Sequence, residues 1–167
     1  MKKLKTLFLF LALVCAVNSF GQTKEETLDW LNMNAKDLID CNFLYPSGKY
    51  KVWFIIQSFT MDSFTYKSGS SDASFNIEDN SSLFRVAYKD IVLQDVSKLS
   101  KTDGNVPKII VKTKLNAIMK LDSNNNPTKF SEDIYIVFEN EENAKRVIKA
   151  IMHLGKLSGA KENKQTF

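Results

Sequence analysis

Two hydrophobic periods succeed each other along the chain, and each change of period marks an element. Leu28, Leu31, Ala35 and Leu38 recur at spacings of three and four with Ile39 beside them, which predicts an amphipathic helix. Thr23 and Glu26 precede that stripe at the spacing of a capping box, in which two side chains satisfy free backbone donors at the helix start. The helix is expected to end near Asn42, and Tyr45-Pro46-Ser47-Gly48 follows as a turn. From Lys49 the period falls to two. Tyr50, Val52, Phe54 and Ile56 share one face while Trp53, Ile55 and Phe59 share the other, so this reads as a central strand covered on both sides, with the opening helix over one of them.

Shorter strands are expected at 64–67 and 73–78, separated by a polar loop at 68–72, and a turn at 79–82. Residues 83–88 and 90–96 read as one interrupted strand or two short ones. The clearest alternation lies in 107–121. Ile109, Val111, Leu115, Ala117, Met119 and Leu121 share one parity, and Lys108, Lys112, Lys114, Asn116 and Lys120 share the other, the mark of a sheet with one wet face. Its length predicts a bend or bulge at 115–117 that splits it over two parts of a curved sheet. A polar loop at 122–129 contains Asn124-Asn125-Asn126-Pro127, which predicts a hairpin, and Ile134, Ile136 and Phe138 form the returning strand. Asn140 is placed to cap a second helix with Glu141 and Glu142 in its first turn. Its apolar stripe is Ala144, Val147, Ile148, Ile151 and Leu154, and Gly159 stands where a left-handed cap is needed, before a frayed tail at 160–167.

These elements predict an α+β fold: an N-terminal helix, a curved antiparallel sheet or barrel of about six to seven strands, and a C-terminal amphipathic helix packed on it. The run of short antiparallel strands closed by one amphipathic helix resembles a pleckstrin-homology-like barrel over residues 49–159. The resemblance implies that the last helix plugs an open end of the rolled sheet. Lys49, Lys51 and Lys67 are spread around the first hairpin and do not form the dense basic cluster that inositol phosphates require. The sequence of leader, helix, β-rich middle and closing helix also resembles small exported bacterial proteins.

The start of the chain changes the reading of composition. Lys2, Lys3 and Lys5 precede eleven apolar residues, Leu7 to Val17, and Ser19 and Gly21 supply small side chains before Gln22. That is the build of a cleavable secretory signal at 1–21, with cleavage after Gly21, leaving one domain at 22–167. Eleven residues are too few to span a membrane, which takes about 20. Val14 before Cys15 does not fit a lipoprotein site. The leader takes three of the 23 basic residues, leaving 20 against 19 acidic ones, so the exported form carries no excess basic charge of the kind nucleic acids select. Cys41 is then the sole cysteine, which excludes an internal disulfide and reads as a buried apolar residue, with a disulfide between chains as the alternative.

Candidate chemistry is sparse. His153 is the only histidine and is expected on the wet face of the second helix, with no carboxylate placed to make it an acid–base group. Asp122, Asn124 and Asn126 match the oxygen spacing of a calcium loop whose twelfth position is Asp133, although Pro127 stands where the loop needs glycine. Asp90, Asp95, Glu132 and Asp133 are the carboxylates that a small hydrolase could pair. Trp30, Trp53, Tyr50, Phe54 and Phe59 are read as core in preference to pocket lining. No nucleophile elbow, phosphate loop or dinucleotide fingerprint occurs. The expectation is therefore an exported noncatalytic binding or scaffolding module without a cofactor, bound to a protein, a peptide at a sheet edge or a small apolar ligand. The alternative is a hydrolase using paired carboxylates.

Overall fold

The computed structural model describes residues 22–162 apart from 46, 73, 75–80, 100–106 and 132. The predicted signal at 1–21 lies outside the described residues. Helix α1 (Lys24–Ile39) starts at the expected capping box. Thr23 Oγ1 accepts the Glu26 amide at 3.1 Å, and the Thr23 amide donates to Glu26 Oε2 at 2.8 Å. Leu28, Leu31, Ala35 and Ile39 are buried, as their spacing predicts. The helix stops at Ile39, short of Asn42, because the next residues are claimed by a sheet. Strand β1 (Cys41–Leu44) pairs antiparallel with β2 (Tyr50–Phe59), Cys41 opposite Phe54, and local helical spacing yields to that pairing.

Asp40 links the two elements. Its Oδ1 accepts the Ile56 amide at 2.7 Å, extending the contact along β2 beyond Cys41, where β1 begins. Partial loss of water around the carboxyl raises its pKa above the ordinary 3.8, against the Ile56 donor and Lys36, which both lower it. A raised folded value means that the folded chain binds this proton more tightly than the unfolded one. The favourable contribution is complete below 3.8 and is lost as pH rises through the folded value. Asp40→Asn, which keeps the acceptor without the charge, is expected to match the wild type near about pH 3 and to exceed its stability near about pH 7. Asp40→Ala, which strands the Ile56 amide, is expected to lose about 1 kcal/mol at both, as read from urea midpoints.

Strand β2 is paired on both edges and covered on both faces. Phe54 and Ile56 enter the main core, while Trp53, also fully buried, lies on the opposite face with its indole N–H donating to Ser81 Oγ at 2.8 Å. A bulge between Ile56 and Ser58 changes the parity, so Phe59 joins Phe54 on the core side and stacks on Phe64. Strand β3 (Ser63–Asp72) is longer than predicted. Its polar half, Ser68 to Asp72, is strand because Phe54 to Tyr50 of β2 pair with it residue by residue. The strand predicted at 73–78 and the turn at 79–82 fall largely outside the described residues.

Strand β4 (Ser82–Ala87) follows, ending in a single 3-10 turn at Tyr88–Asp90. Residues 91–96 form no strand. They contribute isolated bridges, Ile91 to Thr113 and Leu93 to Glu162, and lead into a second 3-10 turn, Val96–Lys98, capped by Asp95. The long alternation at 107–121 breaks where the bend was expected. It gives β5 (Lys108–Lys112) and β6 (Ile118–Leu121), joined through Asn116 in the left-handed region at φ 57°. The turn flips the parity: Ile118 is buried whereas Leu115 is 74% exposed. The hairpin through Asn125, φ 63°, returns as β7 (Pro127–Ser131), which pairs with β6, and β8 (Asp133–Val137) pairs with β5.

The eight strands among the described residues thus make two antiparallel sheets, one in the order β1-β2-β3-β4-β6-β7 and one of β5-β8. The described strands close no barrel, which corrects the barrel form of the expectation, since the break at 113–117 divides the strands between two sheets. Helix α2 (Glu141–Leu157) is capped by Asn140, whose side chain accepts the Asn143 amide at 3.1 Å, and Gly159 adopts φ +83° beyond its end. Its predicted stripe is buried, but α2 packs beside α1 and the 3-10 turns and does not plug a barrel mouth. The start of the tail is not frayed. The Leu93 amide donates to the Lys161 carbonyl at 3.1 Å, while 163–167 lie outside the described residues.

Candidate functional site

The candidate residues for chemistry are held apart. Asp122 Oδ1 accepts the amides of Asn124 and Asn126, each at 2.8 Å, so this carboxylate organises its own hairpin turn. Those donors, Asn126 first, hold its pKa below the usual carboxylate range. Asp133 lies beyond the far end of the five-residue β7, which at about 3.3 Å per residue places it roughly 15 Å along the strand from the turn. There its Oδ2 meets Lys112 Nζ at 3.0 Å. The four calcium-loop candidates therefore do not converge, because strands stand where such a loop needs helices. Among the described residues no group of three or more histidine, cysteine or acidic side chains is placed to hold a metal.

The other carboxylates are equally separate. Asp90 Oδ1 binds Lys114 Nζ at 2.9 Å, and Asp95 Oδ1 accepts the amide and hydroxyl of Ser97 at 3.1 and 2.7 Å. Glu132 lies outside the described residues. His153 is half-buried where full solvation was expected. Its Nε2 is 2.8 Å from the Gln22 carbonyl, an acceptor only, so this nitrogen carries the hydrogen. Cys41 is buried, as expected, and loss of water followed by the Glu139 charge pushes its thiol up to about 11. A buried, protonated thiol is a poor nucleophile and a poor partner for a disulfide between chains.

Of the aromatic residues read as core, Trp53, Phe54 and Phe59 are buried, while Tyr50 is exposed. Trp30 is half-buried, with the Arg146 guanidinium 5.9 Å from its ring. A different aromatic group forms a recess. Tyr66 of β3 and Phe84 of β4 face each other across the strand pair and stack, 5.2 Å between centroids and 20° between planes. Phe130 of β7 and Tyr135 of β8 line the same cleft, whose volume is about 390 Å³. Both remain close to half exposed, at 48% and 47%. Ser68, Asn116, Ser131 and Asp133 complete its lining, and Lys108 Nζ sits 5.4 Å from the Tyr135 ring. The floor is continuous with the core, since Tyr66 also stacks on Phe54 and on Phe64.

Sequence reasoning missed this group. Phe130 lies in a polar stretch and Tyr135 on the parity opposite Ile134 and Ile136, so a lone aromatic at each wet position was the only available signal. No family model, no curated protein and no solved structure matches the chain.

Proposed function

We propose that this protein is an exported, noncatalytic binding module of the bacterial envelope, and that the cleft between β3-β4 and β7-β8 is its ligand site. The carrying observation is the convergence of Tyr66, Phe84, Phe130 and Tyr135 with four polar side chains around one opening. Rings that already stack on the core lose little freedom when a ligand joins the stack. Their faces suit a flat apolar surface, and the serine, asparagine and aspartate side chains suit hydroxyl or amide groups at its rim. The ligand class that fits is a small ring compound with an apolar face and a polar edge.

Export rests on the leader at 1–21, and among the described residues no helix is long and apolar enough to cross a membrane. The hydrolase reading requires two carboxylates facing each other. Asp90 and Asp133 are instead each bound to a lysine of their own, and Asp95 to a turn.

Ligand-observed NMR with a panel of cyclic sugars, phenols and indoles tests the proposal, comparing the wild type with Phe130→Ala/Tyr135→Ala. Each ring contact is worth about 1 kcal/mol, so the double variant is expected to bind the hits at least about tenfold more weakly. Hits that bind the double variant equally well, or a panel with no hit at all, would refute the assignment.

A further inference from the structure

A second cavity, of about 440 Å³, lies where the β2-β3 turn meets the start of α1, the end of β4 and the end of α2. Its lining sets three cations, Lys24, Arg85 and Lys89, against one carboxylate, Asp62. The Asp62 side chain is almost fully exposed and only 3.7 Å from Lys24 Nζ, a loose pair that water screens. Among the described residues, the side chains of Arg85 and Lys89 have no hydrogen-bond or ion-pair partner. Ser158 lines the same cavity, and its hydroxyl oxygen is buried without a hydrogen-bond partner, a state that folded chains rarely leave uncompensated. On α2, by contrast, Lys145 is paired with Glu141 at 2.9 Å and Arg146 lies over Trp30.

Two positive charges in excess match a dianion, and phosphate near neutral pH carries close to that charge. An arginine fork takes two phosphate oxygens at once, lysines add point charge, and a hydroxyl serves a further oxygen. The cavity exceeds what a bare phosphate fills and lies within the usual size range of small-molecule sites, which leaves room for a carbon skeleton. We propose that this cavity binds the phosphate group of a small molecule through Arg85, Lys24, Lys89 and the Ser158 hydroxyl. It shares no lining residue with the aromatic cleft, so either site can be wrong without the other.

The test is a titration of the ¹⁵N-labelled protein with inorganic phosphate, glycerol phosphate and acetate, each at about 0.15 M ionic strength. Saturating amide shifts at Arg85, Lys89 and Ser158 are expected with the phosphate compounds. Tighter binding of the ester assigns a phosphate monoester, and equal binding assigns free phosphate. Arg85→Gln and Lys89→Gln are each expected to weaken the affinity about tenfold or more. Ser158→Ala, which removes an unpartnered hydroxyl, is expected to weaken it with no loss of thermal stability. The proposal is overturned by unsaturated shifts with both phosphate compounds, by acetate saturating the same residues as tightly, or by undiminished affinity in folded Arg85→Gln/Lys89→Gln.

Discussion

Phe64→Ala is expected to lower the free energy of unfolding by about 3–5 kcal/mol. Phe64 is fully buried at the middle of an aromatic row, with ring centroids 5.9 Å from Phe59, 6.0 Å from Tyr66 and 6.0 Å from Tyr88. Truncation removes the transfer energy of the ring and leaves a cavity that three stacked neighbours cannot all close. Phe64→Leu keeps most of the volume and should lose less than half as much. Urea unfolding curves decide it: an alanine variant within about 1 kcal/mol of the wild type would show that the row is not a packed unit.

Ile148→Asp is expected to leave almost no folded protein. Ile148 is fully buried in the single core cluster that joins α1, α2 and the strands. A carboxylate there would lose its water without gaining a partner, a change in the class that costs more than about 4–5 kcal/mol. That approaches the whole net stability of a domain at the lower end of the usual range, about 5–15 kcal/mol. Lys149→Asp, one residue on and exposed, is the matched control and should fold. Far-UV circular dichroism separates the two, and a folded Ile148→Asp variant would mean that α2 is dispensable to the core.

Both helices were legible because their signals are local: Thr23 with Glu26, Asn140, and stripes confined to one face. The bend at 115–117 was legible as well, since strands usually run no longer than about 10 residues. Other features depend on distant partners. Cys41 to Leu44 continue past a helical stripe and become strand only because Lys51 to Phe54 are free to pair. Ser68 to Asp72 have loop composition, and β2 imposes the strand on them. The parity of 107–121 failed at Leu115 and Ile118 because the turn at Asn116 inverts it, and it is regained at Leu121, which is buried beyond a register shift after Lys120. Both candidate sites were hidden for the same reason. Tyr66, Phe84, Phe130 and Tyr135 come from four strands, and Lys24, Arg85, Lys89 and Ser158 are spread over more than a hundred residues, so neither forms a run or a motif.

The joint at 113–117 governs how this domain comes apart. One uninterrupted stretch of backbone leaves β5 in the small sheet and, five residues later, enters β6 in the large one, while Ile91 bridges to Thr113 at the joint itself. Ile109 and Val111 of the small sheet lie in the same buried cluster as Val86 and Ile118 of the large one, so the two sheets are expected to unfold together, with coincident transitions by different probes.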